Sequence, residues 1–137
     1  MTGGNGNHMF ITIDTTHKLP IYRQITEEIK TLIVRGEVAP GTALPSVRQL
    51  ATDLGVNLNT VAMAYRELQE AGLIKVRHGS GAVVISRSSP SQSVDELRRS
   101  LRVCLTGLVL AGLSRKEIQD LFDEELQQTI QNGEVSK

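Results

Sequence analysis

Apolar residues recur at helical spacing in the first long segment of the chain. Pro20 begins the predicted helix, because proline is tolerated in a first turn, and Gly36 stands where a C-terminal cap is expected. Spacings of three and four residues place one apolar stripe along this helix. The stripe consists of Ile21, Ile25, Ile29 and Leu32.

Two further helices are predicted close together after a Pro40-Gly41 turn. Ser46 begins the first of them with a capping box that ends at Gln49, and the helix stops at Gly55. The next helix begins at Leu58 or Asn59 and runs to 71. Their apolar inner positions are Val47, Leu50, Ala51 and Leu54, then Val61, Tyr65 and Leu68. Helix, short turn and helix is the pattern of a helix–turn–helix.

Alternation and β-prone composition predict three short strands. Residues 9–14 alternate around Ile11 and Ile13, which is typical of a strand. Residues 73–76 and 82–85 form a hairpin around a glycine-containing loop. A hairpin directly after a helix–turn–helix is a wing, so residues 9–85 are predicted to be a winged helix–turn–helix domain in a mostly α fold.

The segments outside this domain have distinct compositions. Residues 1–8 are rich in Gly and Asn and are interpreted as a flexible leader or tag remnant. Residues 86–93 are Ser-rich with one proline and predict a linker. Two helices within 94–131 follow as a helical hairpin, each opened by a capping box at Ser93 or Ser114. Residues 132–137 form a tail.

The two C-terminal helices carry apolar stripes that they cannot both bury against each other. A second copy of the chain is the predicted partner, and packing back on the winged domain is the alternative. Cys104 lies on the stripe, so a core or interface role is favoured over a reactive thiol. The predicted dimerisation residues are Leu97, Leu101, Cys104, Leu105, Leu108, Ile118, Leu121 and Phe122.

Composition restricts the classes of protein that fit. The 137 residues include only 3% aromatics, so the core must be aliphatic, and one cysteine precludes an internal disulfide. No apolar run approaches the ~18 residues of a membrane span. A reducing cytoplasm fits best. The formal net charge is zero, yet residues 18–87 hold nine Lys/Arg against six Asp/Glu, and residues 94–137 hold six against eight.

Polar side chains cluster at the starts of the second and third predicted helices. Arg48 lies in a first turn, where the helix dipole disfavours a cation, so a DNA phosphate or guanine edge is a candidate partner. A solvated side chain or an ion pair with Asp53 is the alternative. Asn57 and Asn59 exceed what one cap requires, so we expect one to cap and the other to read DNA.

Neighbouring positions extend this predicted DNA-binding set. Thr60 accompanies the asparagines, and Met63, one turn further on, can touch a thymine methyl or pack against the wing. Ser46 stands beside Arg48 at the helix start. In the wing, glycines allow close backbone approach to a phosphate or a narrow groove, although a basic turn is also common on surfaces. The wing candidates are Lys75, Arg77, His78 and Gly79.

Catalytic patterns are absent from the sequence. The three histidines are scattered, no Cys/His cluster exists, and neither a nucleophile elbow nor a complete phosphate-binding loop is present. We therefore expect no enzyme activity, no metal and no cofactor.

With these motifs in place, the chain resembles the GntR family of bacterial transcription regulators. The matching stretch is PGTALPSVRQLATDLGVNLNTVAMAYRELQEAGLIKVRHGSGAVV, residues 40–84, preceded by LPIYRQITEEIKTLIVRGEVA. Only about 50 residues follow the wing, which is similar to the YtrA subfamily with its two-helix dimerisation region. Leu58 and Ala62 stand where many relatives carry guanine-reading arginines, so the resemblance carries over no operator bases.

The resemblance implies a dimeric regulator, commonly a repressor. Such proteins bind pseudo-palindromic operators on double-stranded DNA and respond to a small effector, and YtrA-like members commonly control a transporter operon. By the family pattern Arg48, Asn57, Asn59, Thr60, His78 and Gly79 match DNA-contacting positions. Two alternatives stay open: the DNA-binding fragment of an aminotransferase-fused regulator that uses pyridoxal phosphate, and a scaffold or ligand-binding protein that retains the fold.

Overall fold

Three helices and a small antiparallel sheet are followed by two further helices. The computed structural model describes residues 11–77, 81–88 and 92–130. The helices are α1 (Ile21–Val34), α2 (Val47–Leu54), α3 (Leu58–Glu70), α4 (Val94–Leu110) and α5 (Arg115–Thr129), and the strands are β1 (Ala43–Leu44), β2 (Ile74–Arg77) and β3 (Gly81–Val84). The fold is therefore mostly helical with a small β-wing, as predicted.

The chain divides into two units. The first, Met1–Ser89, contains α1 to α3 and the sheet, and the second, Pro90–Lys137, contains α4 and α5. The second unit holds the two helices predicted within residues 94–131. Neither α4 nor α5 contains a buried residue.

Local capping fixes most helix starts at the predicted residues. The Ser93 and Ser114 side chains accept from the backbone N–H groups of Glu96 and Glu117. Both glutamate side chains in turn accept from the backbone N–H of their serine, so these two capping boxes are confirmed. The box predicted at Ser46 is only half correct. Ser46 Oγ accepts from Gln49 N at 3.0 Å, but the Gln49 amide donates to Asp53 Oδ1 at 2.7 Å instead of returning to Ser46.

The core of the first unit lies on the inner face of α3. This face packs against α1, α2 and β2. The core is aliphatic, as composition predicts, with one buried tyrosine as the exception. The buried core residues are Ile25, Ile29, Ile33, Val38, Leu44, Leu50, Ala51, Val61, Ala64, Tyr65, Leu68, Leu73, Ile74, Ala82 and Val84.

The sheet has the strand order β1–β3–β2 and is antiparallel throughout. Strands β2 and β3 form the predicted wing, with Ile74 opposite Val84 and Arg77 opposite Gly81. The hairpin extends one residue closer to its loop than expected. The predicted loop residues His78 and Gly79 lie outside the described residues.

Two features of the sheet differ from the sequence prediction. Strand β1 was not predicted, because its two residues carry no alternation and are defined only by pairing with β3. The strand predicted at residues 9–14 is wrong over its described part, where 11–14 form no strand. Ile11 and Ile13 pack against the core, and the Gln24 side chain bonds both Asp14 N and Asp14 O, so this segment is held without a strand partner.

A buried tyrosine ties α3 to the start of α2. The Tyr65 hydroxyl donates to the Pro45 carbonyl at 2.7 Å, and burial raises the pKa of Tyr65 far above its usual value, so the hydroxyl stays protonated. Pro45 directly precedes the N-cap residue of α2. This bond therefore fixes the leading end of α2 relative to the middle of α3.

Removing this hydroxyl tests the tie. Tyr65→Phe leaves the buried Pro45 carbonyl without its donor, so the free energy of unfolding should fall by about 1–3 kcal/mol in urea denaturation. Tyr22→Phe is the matched control, since the Tyr22 hydroxyl has no hydrogen bond within the described residues, and it should change stability by less than about 0.5 kcal/mol. Equal stabilities for the two variants would contradict the assignment.

Candidate nucleic-acid interface

The start of α2 presents an arginine to solvent. Arg48 is the second residue of the helix and is exposed, and the first turn contains no acidic residue. The alternative of an ion pair with Asp53 is not realised among the described residues, because the ion pairs there join other groups and Asp53 accepts from Gln49. The guanidinium is thus positioned to meet an external anion.

The two asparagines at the start of α3 have different structural roles. Asn57 is the N-cap, and its Oδ1 accepts from Asn59 N at 2.7 Å, which confirms that one asparagine caps the helix. The Asn59 side chain is exposed and has no hydrogen bond within the described residues. Its amide therefore keeps both a donor and an acceptor for an external partner.

Two surface depressions flank the leading end of α3. The first, which we call the α2–wing depression, joins the start of α2 to the wing strands. Its floor is the buried Tyr65, and Leu58 lines it while 41% exposed. The residues lining it are Ser46, Val47, Arg48, Leu58, Tyr65, Val76, Arg77 and Gly81.

The second, which we call the α1–α3 depression, lies between the first turns of α1 and α3. Asn57, Asn59 and Thr60 line it together with Met63, which is 42% exposed. Met63 thus lies toward the start of α1. The remaining lining residues are Pro20, Ile21 and Tyr22.

The structure therefore brings most of the predicted site residues to one end of the first unit. Ser46, Arg48 and Arg77 line one depression, and the residues from the start of α3 line the other. Lys75 is exposed on β2 but lines neither depression. Sequence reasoning missed Tyr22, because its place depends on how α1 packs beside α3, and it named Leu58 only as standing where relatives carry an arginine.

Helix dipoles add positive potential at this end. The first turns of α1, α2 and α3 contain no acidic residue, and Pro20 at the N-cap of α1 offers no side-chain cap. By contrast, α4 begins with Asp95 and Glu96, and α5 has Glu117 in its first turn. Uncompensated helix N-termini attract anions such as phosphate.

Other chemistry finds little support in the described part of the chain. Within it, no three His, Cys, Asp or Glu side chains form a group that could hold a metal ion. In the same residues, every helix falls short of the length and hydropathy that a membrane span requires.

The predicted dimerisation residues lie on α4 and α5 and are incompletely covered. Leu97, Leu101, Cys104 and Phe122 are exposed, and the other four are half-buried. An apolar groove between the two helices is lined by Leu105, Val109, Leu113, Ile118 and Phe122, with polar residues at its rim.

The fold and this surface define a class of protein. A helix–turn–helix with an outward-facing second helix, followed by a two-stranded wing, is the architecture of proteins that place that helix in the major groove of DNA. The exposed polar groups stand at the leading end of this helix, where bases and phosphates are contacted.

Comparisons with known proteins agree with this class. The family model described as bacterial regulatory proteins, gntR family, matches residues 21–84. The chain is 35% identical over 118 residues to the HTH-type transcriptional repressor YtrA of Bacillus subtilis, covering 83% of this chain and 90% of that protein.

Two solved structures are also similar. One, a transcriptional antiterminator from Listeria monocytogenes EGD-e, shares 36% identity and superposes with a TM-score of 0.81 over 96% of this chain and 98% of that one. The other, YtrA from Sulfolobus acidocaldarius, described as a GntR-family transcription factor, shares 42% identity with a TM-score of 0.58 over 70% and 97%.

The chain belongs to the gntR family of bacterial regulatory proteins. It is a DNA-binding transcriptional regulator of the YtrA type, which confirms the resemblance found in its sequence.

The wing depends on one glycine that can be tested. Gly81 has φ +88°, and a Cβ there would lie 3.0 Å from the Leu44 carbonyl oxygen. Gly81→Ala should therefore lower the free energy of unfolding by more than the about 1–3 kcal/mol that a strained backbone conformation costs. It should also weaken DNA binding, because Arg77 pairs with Gly81.

Gly72→Ala is the matched control for Gly81→Ala. Gly72 has φ +80°, but nothing lies within 4 Å of its added Cβ, so only the conformational cost applies. Denaturation curves of both variants separate the two effects. If they lost the same free energy of unfolding, close packing of the wing on Leu44 would be refuted.

Proposed function

We propose that the chain is a homodimeric repressor that binds a pseudo-palindromic operator with the leading end of α3 in the major groove. The observation that supports this most directly is the grouping of Arg48, Asn59 and Arg77 around the exposed start of α3. The name of the B. subtilis relative, a repressor, supports the sign of regulation.

The side chains fit distinct parts of a DNA duplex. The Asn59 amide can bond adenine N6 and N7 in the major groove, and the exposed Leu58 and Met63 can contact thymine methyl groups. Arg48 meets a backbone phosphate or a guanine edge. Ser46 and Asn57 cap the helix starts that point at the DNA backbone, and Thr60 lies beside them.

The wing supplies the second set of proposed contacts. Arg77 lines the α2–wing depression and reaches backbone or groove edges beside α3. Lys75 contributes positive charge from outside the depressions, and His78 and Gly79, which lie outside the described residues, complete the predicted wing contacts.

A second copy of the chain is the proposed partner of α4 and α5. Neither helix buries a residue within the protomer, although both carry apolar stripes along their length. Water-exposed stripes of this kind are stabilised by burial against a complementary surface. Two copies related by a two-fold axis bury the same stripes against each other and match the symmetry of a pseudo-palindrome.

The setting of this regulator follows from the same reasoning. We propose a cytoplasmic protein without enzyme activity or cofactor, in keeping with relatives that are transcriptional regulators. Its operator controls a transporter operon, as the resemblance to YtrA-like members implies. A small-molecule effector, if used, binds between the helices or at the dimer seam.

Arg48→Ala tests the DNA contact. Operator duplexes are first selected from a random library with the wild-type chain, and affinity is then measured by fluorescence anisotropy. The variant should bind about 1–3 kcal/mol more weakly while remaining dimeric. Loss of a phosphate contact reduces the steepness of log affinity against log salt by about 1, whereas loss of a guanine contact relaxes the base preference at one position.

Arg99→Ala is the control for lost charge. Arg99 is exposed on α4 and has no ion pair within the described residues. The Arg99→Ala variant should retain the wild-type affinity for the operator. Unchanged operator affinity in Arg48→Ala would overturn the contact, and equal binding of wild-type protein to selected and random duplexes would favour the scaffold alternative.

Leu101→Asp tests the dimer. Leu101 is 43% exposed in the protomer, so an aspartate there should leave the protomer folded but place a charge in the proposed interface. The variant should be monomeric by light scattering, with poor operator affinity.

Val103→Asp is the matched control for Leu101→Asp. Val103 lies on the same helix but away from the stripe and is 69% exposed, so this variant should stay dimeric. A dimeric Leu101→Asp variant would refute the assigned interface and leave packing on the winged domain as the explanation of the stripe.

A further inference from the structure

An arginine just beyond the wing is bonded to the far end of α1. The Arg87 guanidinium donates from Nε to the Ile33 carbonyl at 3.3 Å and from Nη2 to the Val34 carbonyl. These contacts join residues more than 50 positions apart. Arg87 belongs to the Ser-rich segment that the sequence assigns to a linker, so the beginning of that segment is held on the first unit.

The Val34 carbonyl has no backbone donor among the described residues, whereas the Ile33 carbonyl also accepts from Gly36 N at 3.1 Å. The preceding carbonyls of Thr31 and Leu32 accept from the backbone N–H groups of Arg35 and Glu37. Within the described residues, Arg87 is the donor to the Val34 carbonyl. A guanidinium also interacts favourably with the negative end of a helix dipole, and its planar fork suits two adjacent acceptors.

The backbone around Arg87 is fixed as well. Ile85 N donates to the Leu73 carbonyl at 2.8 Å, which continues the pairing of the chain beyond β3. Ser86 Oγ donates to the Ser88 carbonyl and accepts from Ser88 N, closing a turn around Arg87. The direction in which the chain leaves the first unit is thus set by backbone and side-chain contacts together.

The contact is connected to the DNA-reading helix through the core. Ile33 is buried, and α1 packs along α3. A chain path fixed to the end of α1 is therefore fixed relative to α3. In a dimer joined through α4 and α5, the point at which each chain leaves its first unit limits how far apart the two α3 helices can be presented.

We propose that Arg87 is a positioning residue that sets the half-site spacing accepted by the dimer. The guanidinium holds the chain against α1 as it leaves the first unit, so the exit at Ser88 keeps one position relative to α3. This inference rests on the proposed dimeric operator binding. It differs from a purely stabilising role, because loss of stability alone does not alter a preference between spacings.

The experiment compares operators that differ only in spacing. Duplexes selected by the wild-type chain are remade with one or two base pairs added or removed between half-sites, each of which rotates them by about 35°. The wild type should bind the selected spacing about tenfold more tightly than the others, and Arg87→Ala should keep less than about a third of that preference. Affinity for a single half-site should be the same for both proteins.

Two further variants make the result specific. Arg87→Lys keeps the charge but cannot hold both carbonyls with a planar fork, so its spacing preference should be intermediate. Arg99→Ala removes an exposed arginine from α4 and should behave as wild type. Thermal denaturation shows whether each variant is folded. If Arg87→Ala is unfolded, the spacing preference of Arg87→Lys tests the proposal in its place.

The outcomes separate this inference from the proposed function. If the wild type selects no duplex or is monomeric, the proposed function fails. If the wild type is a dimer that selects operators, but Arg87→Ala retains the full spacing preference or the wild type has none, the role of Arg87 is overturned.

Discussion

Burial of the inner face of α3 is the constraint from which the functional surface follows. Val61, Ala64, Tyr65 and Leu68 are buried, and α3 is packed by α1, α2 and β2. With these sides covered, the leading end and the outer positions are what remains exposed. The same aliphatic packing that stabilises the first unit thereby decides which polar groups reach solvent.

Local signals account for most of what the sequence predicts correctly. Caps such as Ser93 and Ser114 and apolar stripes act within one helix, so helix positions can be read without knowing the fold. Strand β1 cannot be read in this way, since it exists through pairing with β3. The segment around Ile11 and Ile13 also depends on a distant partner. Its alternation suits a strand, but the Gln24 side chain hydrogen-bonds the backbone N–H and carbonyl of Asp14.

The candidate site shows the same division. Arg48 and the asparagine cap follow from position within a helix, and the structure separates the capping Asn57 from the exposed Asn59. Tyr22 could not be predicted from position, because it lines the site only through the packing of α1 beside α3. Gln49 was misassigned for a related reason: a capping box needs its amide oxygen to accept from Ser46 N–H, whereas its amide nitrogen donates to the charged Asp53 carboxylate instead.

The missing acidic residues at the starts of α1, α2 and α3 have a kinetic consequence. A chain of zero net charge has little long-range attraction for a polyanion and stays on arbitrary DNA only briefly. Uncompensated peptide dipoles at one end instead orient the molecule as it approaches, with the starts of these three helices foremost. Ionic strength should accordingly govern how fast this regulator finds DNA, through the direction of its field rather than its total charge.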